Sequence, residues 1–290
     1  MLKINNKCLL RPLLISFVLF QLSACSSIIS SSASNIAEKL SYVILNSDDP
    51  KTIADGAPAY LLLMDSFLVD ADKSPQLLQS AATLYSAYAG IFVSDPQRAI
   101  KMSNKALSYA QQALCISDKN ACQLRQQSFT RFGQQVSTIN KDNLPLWYTL
   151  GAAWAGWIKA NSSSVSAIAQ LPRVNMIMMQ IVAIDENWQG GQAHLYLGVL
   201  NTLLPPALGG KPEQGQYHFK RAILLSENKN LMAKVLYAEK YARLIFDQKL
   251  HDQLLHEVIQ ADTYAPDLTL MNTLAQQKAR QLLASSADYF

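Results

Sequence analysis

The sequence predicts an all-α protein, and three observations predict it. Apolar residues recur at helical spacing almost without interruption beyond residue 35. Proline or a capping side chain marks one helix start after another. No alternating apolar runs are separated by an Asn-Gly or Asp-Gly hairpin signal. The periodicity places helices near 35–46, 52–71, 75–93, 96–115, 120–138, 145–160, 164–184, 190–204, 212–226, 231–247, 250–261 and 266–286. The turns between them are short and polar, so the expected architecture is stacked antiparallel helix pairs.

The chain opens with Lys3, Lys7 and Arg11, no acid, an apolar run from Leu13 to Phe20, and small residues before Cys25. That order reads as a secretory signal peptide over 1–24, too short and wrongly flanked to span a membrane. Leu22-Ser23-Ala24-Cys25 resembles the bacterial lipobox, which implies lipidation of Cys25 after cleavage; an ordinary signal peptide with an incidental cysteine is the alternative. Each buried CH₂ contributes about 0.8 kcal/mol, and two or more acyl chains anchor stably where one does not. Ser26 in place of aspartate favours the outer membrane. Loss of the three basic residues takes the formal net charge from +4 to +1. The mature chain is then nearly neutral, without the basic patch that phosphate binding needs, and nucleic acid is not an expected partner.

Residues 25–34 form a tether: six of the nine positions from 26 to 34 are serine, a composition that sets reach and not structure. The rest, 35–290, reads as one helical domain. Asn35 is placed to cap a helix with Glu38 three residues on. Pro75, Pro96, Pro145, Pro212 and Pro266 are placed as first-turn prolines, where the missing N–H costs no hydrogen bond, and Ser74 and Asp95 offer cap oxygens. Of the four cysteines, Cys8 leaves with the signal and Cys25 is lipidated. Cys115 and Cys122 remain, either as a disulfide suited to an oxidising compartment or as two free thiols. A bridge there closes an eight-residue loop, which the chain-entropy model values at roughly 2.5 kcal/mol.

The segment WYTLGAAWAGWIKA at 147–160 sets Trp147, Leu150, Trp154, Trp157 and Ile158 on one stripe, with glycine and alanine between them leaving room for close neighbours. TLYSAYAGIFV at 83–93 echoes it sixty-six residues upstream, Tyr88 standing where Trp154 stands. Leu197-Gly198, Gly215, Phe219 and Ala222 follow the order of small and aromatic positions in a tetratricopeptide repeat. The pattern is degenerate and rests on its recurrence.

Taken together, the lipobox, LYSAYAGIFV at 84–93, LWYTLGAAWAGWI at 146–158, HLYLGVLNTLLPPALGGKPEQGQYHFKRAILLS at 194–226, VLYAEKYA at 235–242 and the terminal DYF resemble the TRAP transporter T-component (TatT) family. The resemblance covers about 35–290 and implies a periplasmic lipoprotein of tetratricopeptide-like helices. It further implies a homo-trimer with a central pore, docking to the solute-binding P-component of a tripartite ATP-independent periplasmic transporter, and a hydrophobic or organic-acid ligand.

No constellation demands catalysis, a metal or a cofactor. The four histidines are scattered, and His251 and His256 fall on different helix faces. Ser226 and Lys229 spell SxxK where a helix ends, and Gly209-Gly210 lacks P-loop spacing and reads as a tight corner. Candidate ligand or pore-lining residues are Tyr85, Tyr88, Trp147, Trp154, Trp157 and His194; core packing is the competing reading for the aromatics, and a structural role at a helix start for the histidine. A scaffold lipoprotein without a ligand is the alternative to a transport accessory.

Overall fold

The structure, a computed structural model, describes residues 39–69 and 74–290. Two units divide the chain, Met1–Ile44 and Leu45–Phe290. In the first, the described residues 39–44 are helical. Cys25, the serine-rich tether and the Asn35–Glu38 cap lie outside the described residues.

The second unit is a bundle of helices, with no strand among the described residues. Its first three helices each begin at a proline behind a carboxylate or hydroxyl cap. Asp49 accepts from the amides of Lys51 and Thr52 at the head of α1 (Pro50–Phe67), Ser74 from Leu77 at α2 (Pro75–Ile91), and Asp95 from Arg98 at α3 (Pro96–Ser117). There follow α4 (Phe129–Val136), α5 (Leu144–Ala160), the short α6 (Val165–Ile168), α7 (Leu171–Ile184), α8 (Gln192–Asn201) and α9 (Pro212–Leu225). The chain closes with α10 (Leu231–Leu236), a π-helical turn (Tyr237–Ala242), α11 (Gln248–Gln260), α12 (Thr269–Ala284) and α13 (Ser286–Tyr289).

Sequence neighbours pack as pairs, most extensively α2 on α3 and α8 on α9. Helix α5 lies at the centre of the N-terminal half, against α2, α3 and α7. One apolar cluster gathers residues of α1 to α8 around it, and a second gathers α8 to α12 around Phe219, Tyr237 and Tyr241. The helices that carry the two echo segments meet directly: Gln79 on α2 donates to the Pro145 carbonyl and the Thr149 hydroxyl of α5, at 3.0 and 3.1 Å.

Three expected helices are interrupted, each for a local reason. The span 120–138 is a 3₁₀ turn at Lys119–Ala121, a loop in which Gln123 takes φ 60°, and only then α4, with Ser128 as its new cap. The span 164–184 breaks after Ile168, because Pro172 lacks the N–H that would continue the ladder back to it. The span 231–247 widens into the π turn and stops at Phe246, where φ is 56°. Pro266 does not open a helix: Asp267 behind it adopts φ 62°, its amide bonds to the Asn46 side chain, and the helix starts at Thr269. Two starts that the sequence reading missed are Pro50 and Pro172.

The glycines of the repeated motif divide in role. A Cβ at Gly151 would stand 2.7 Å from the Met178 Cε and 3.2 Å from Ile177, so this glycine brings α5 against α7. Gly90 and Gly156 have nothing within 4 Å of that position and are not packing sites in this chain. Gly209, at φ 90°, makes the tight corner before α9, with the Gly210 amide closing back on the Pro205 carbonyl.

Candidate functional site

The aromatic residues singled out in the sequence lie in or against one apolar cluster, yet they do different things. Trp147 and Trp154 are closed off from solvent, at 1% and 0% exposure. The Trp154 indole N–H donates to the Gln170 Oε1 at 2.7 Å, and its ring meets Phe132 edge-on at 5.9 Å. Trp157 is half-buried; its N–H donates to Asn104 on α3 at 2.6 Å, and the Arg125 guanidinium covers its face at 4.1 Å.

Tyr85 and Tyr88 face α1. Asp65 on that helix accepts from the hydroxyls of Tyr85 at 2.7 Å and Tyr109 at 2.8 Å, and pairs with Lys105, whose ammonium sits 4.8 Å from the centre of the Tyr85 ring. Burial works against charge on Asp65, but the bonds from Lys105, Tyr85 and Tyr109 outweigh it and hold the carboxyl below its ordinary range. Burial, reinforced by the neighbouring carboxylate, pushes both phenols up, Tyr109 to about 12. The knot ties three helices together and keeps both phenols protonated. Tyr88 reaches the Ala54 carbonyl at 3.4 Å, with Arg98 over its ring.

His194 is apart from these, on α8, and is 1% exposed. Its Nδ1 faces the Nδ1 of His218 at 2.8 Å, and its Nε2 faces Glu186 at 3.2 Å. Glu186 is gripped in turn by Arg221, at 2.8 and 2.7 Å. The carboxylate fixes the proton of His194 on Nε2, which leaves its Nδ1 to accept from His218. Arg221 holds the Glu186 carboxyl down; burial lowers both histidines, His218 to about 4. His218, Glu186 and Arg221 have no signature in the sequence beyond residue type, since helix pairing alone brings them together.

Cys115 and Cys122 stand bonded, with Cα atoms 4.6 Å apart, and turn the chain from α3 into the loop before α4. Residues 119–184 contain six basic residues and a single acid, Asp142, a local excess that the net charge of the whole chain hides. Lys119 and Arg131 line a polar hollow of about 530 Å³ together with Asn120, Gln126, Gln127 and Ser128. No group of three or more His, Cys, Asp or Glu residues among the described residues is arranged to hold a metal.

A bundle of helices whose buried polar groups tie one helix to the next, with no strand among the described residues, defines the class as an all-α helical-bundle protein. The chain belongs to the TRAP transporter T-component family, whose match runs over residues 46–290. Membership makes it an accessory component of a TRAP transporter, associated with the periplasm or cell envelope and with other components of that system. Among curated proteins none matches the chain.

Proposed function

We propose that the protein docks the solute-binding P-component of its transporter from a lipid anchor at Cys25, and holds or passes a small hydrophobic or organic-acid ligand. The observation that carries this reading is the family match across nearly all of the helical domain. The homo-trimer and the placement at the outer membrane belong to the same proposal. Ligand contact falls to Trp157, the tryptophan of the stripe that retains solvent exposure, with the Arg125 guanidinium on its face. Trp147, Trp154, Tyr85, Tyr88 and His194 act in packing and helix ties, on the burial and hydrogen bonds described above.

Native co-purification from detergent-extracted membranes tests the docking: the solute-binding protein is recovered with the wild type, and its repeated absence overturns the reading. Cys25→Ala releases the chain into the soluble fraction if the anchor is lipid. Light scattering of the detergent-free soluble domain reads the trimer.

A further inference from the structure

The polar hollow of about 530 Å³ beside the Cys115–Cys122 bridge has a lining that the helix ties do not explain. Its volume falls in the range of about 300–1,000 Å³ that small-molecule sites occupy. Lys119 and Arg131 supply two cations, and four side-chain amides and the Ser128 hydroxyl complete the polar wall. No aromatic or aliphatic side chain lines it, and no carboxylate. Neither cation forms a salt bridge among the described residues, whereas Lys105, Arg221 and Lys234 each hold a carboxylate. Asp118, the acid nearest in sequence, turns its carboxylate to the Asn120 amide at 2.9 Å.

The polarity continues inward at Gln127. Its Nε2 donates to the Asn120 and Cys122 carbonyls at 3.3 and 3.4 Å, while its Oε1 is a buried acceptor without a hydrogen-bond partner among the described residues. Its backbone carbonyl accepts from Arg173 at 2.6 Å, and the Nη1 of that guanidinium is likewise buried and unpartnered. Burial works against the charge on Arg173, and no carboxylate offsets it. Folded proteins seldom leave buried polar atoms unpaired, so an orphan donor and an orphan acceptor beside one hollow point to a polar guest. The start of α4 adds to the field: Ser128 caps that helix, accepting from the Arg131 amide at 3.3 Å, and so brings its positive end to the same wall. The wall is fixed in advance by the bridge and by the ties from Gln127, so little ordering is left for a ligand to impose.

We propose that this hollow is a binding site for a small oxyanion carried on a hydroxylated body. The oxyanion, a carboxylate or a phosphate group, pairs with Lys119 and Arg131 through charge-assisted hydrogen bonds. The side-chain amides around them offer both donors and acceptors, which suits hydroxyl groups. The lack of an apolar wall selects against a hydrophobic guest, and the lack of an acid against a cation. The site shares no residue with the Trp157 face and stands or falls independently of the docking proposed above.

Titration calorimetry on the full chain in neutral detergent tests the site, with thermal melts confirming the fold of every variant. Gluconate or glycerol 3-phosphate binds about tenfold or more tightly than its neutral counterpart, glucose or glycerol. Lys119→Gln combined with Arg131→Gln weakens anion binding about tenfold or more and flattens its salt dependence; Lys220→Gln combined with Lys249→Gln, exposed cations elsewhere, leaves it unchanged. Gluconate preferred over glycerol 3-phosphate assigns the anion as a carboxylate, and the reverse as a phosphate. Binding to phosphatidylglycerol vesicles but not to phosphatidylcholine vesicles, lost in the same double variant, assigns the phosphate to a lipid headgroup. Neutral probes that bind as tightly as the anions, anion binding that survives Lys119→Gln with Arg131→Gln, or the absence of binding by every probe at millimolar concentration overturns the proposal.

Discussion

Trp154 and Gln170 are joined across a helix break: the indole N–H of α5 donates at 2.7 Å to a side chain standing between α6 and α7, and Arg125 donates to the same oxygen at 3.2 Å. One amide thus ties a central tryptophan, the loop before α4 and the start of α7. Trp154→Ala removes a fully buried ring and leaves Gln170 without its shortest bond, and is expected to cost about 3–5 kcal/mol. Trp157→Ala, at a half-buried site, is expected to cost about 1–2 kcal/mol and to reduce ligand binding. Urea unfolding separates the two; equal losses of stability would contradict the assignment of Trp154 to the core and Trp157 to the ligand face.

Asp65 serves two phenols and an ammonium at once. Asp65→Ala leaves all three donors without it and is expected to lower stability by about 2–3 kcal/mol. Asp65→Asn keeps an acceptor but loses the charge, and falls between. The sign with pH follows from the lowered carboxyl: its contribution is complete above the unfolded value of about 3.9 and is lost as pH falls through the lower folded value. Acid unfolding of Asp65→Asn is therefore less steep below about pH 4 than that of the wild type.

The His194–His218 pair predicts a second, milder acid window. Both histidines are lowered by burial, so the unfolded chain binds protons that the folded chain refuses between about 6.5 and the value of about 4 for His218. Stability rises with pH through that interval and falls on acidification, by about 1–2 kcal/mol between pH 7 and 5. A second proton on His194 would also set two N–H groups head-on across 2.8 Å. Melting His218→Gln over this range tests the assignment: a slope unchanged from wild type would sink it.

The helical class was legible because apolar spacing and caps are local signals, and Ser74-Pro75 and Asp95-Pro96 act in the fold as their chemistry dictates. Pro266 misled because the conformation of Asp267, which sets where that helix starts, is fixed by Asn46, 221 residues away in sequence. The polar ties were less legible still. Asp65 meets Tyr109 across 44 residues and His194 meets His218 across 24, and nothing in either segment announces the other.

Glycine content alone does not distinguish a packing site from an unused opening, and the two kinds respond oppositely to the same substitution. At Gly198 on α8, an added Cβ would stand 2.8–3.0 Å from three atoms of the Phe219 ring, which is itself fully buried and stacked on Tyr237. That ring has no free direction, so Gly198→Ala is expected to destabilise by about 1–3 kcal/mol through overpacking. At Gly156 on α5 nothing lies within 4 Å, and the residue sits inside a helix where alanine is favoured by about 0.5–1 kcal/mol. Gly156→Ala should raise the melting temperature of the isolated domain. If the trimer places a neighbouring helix against this face, the same substitution weakens assembly while stabilising the monomer, a split that light scattering and thermal melts on one sample resolve.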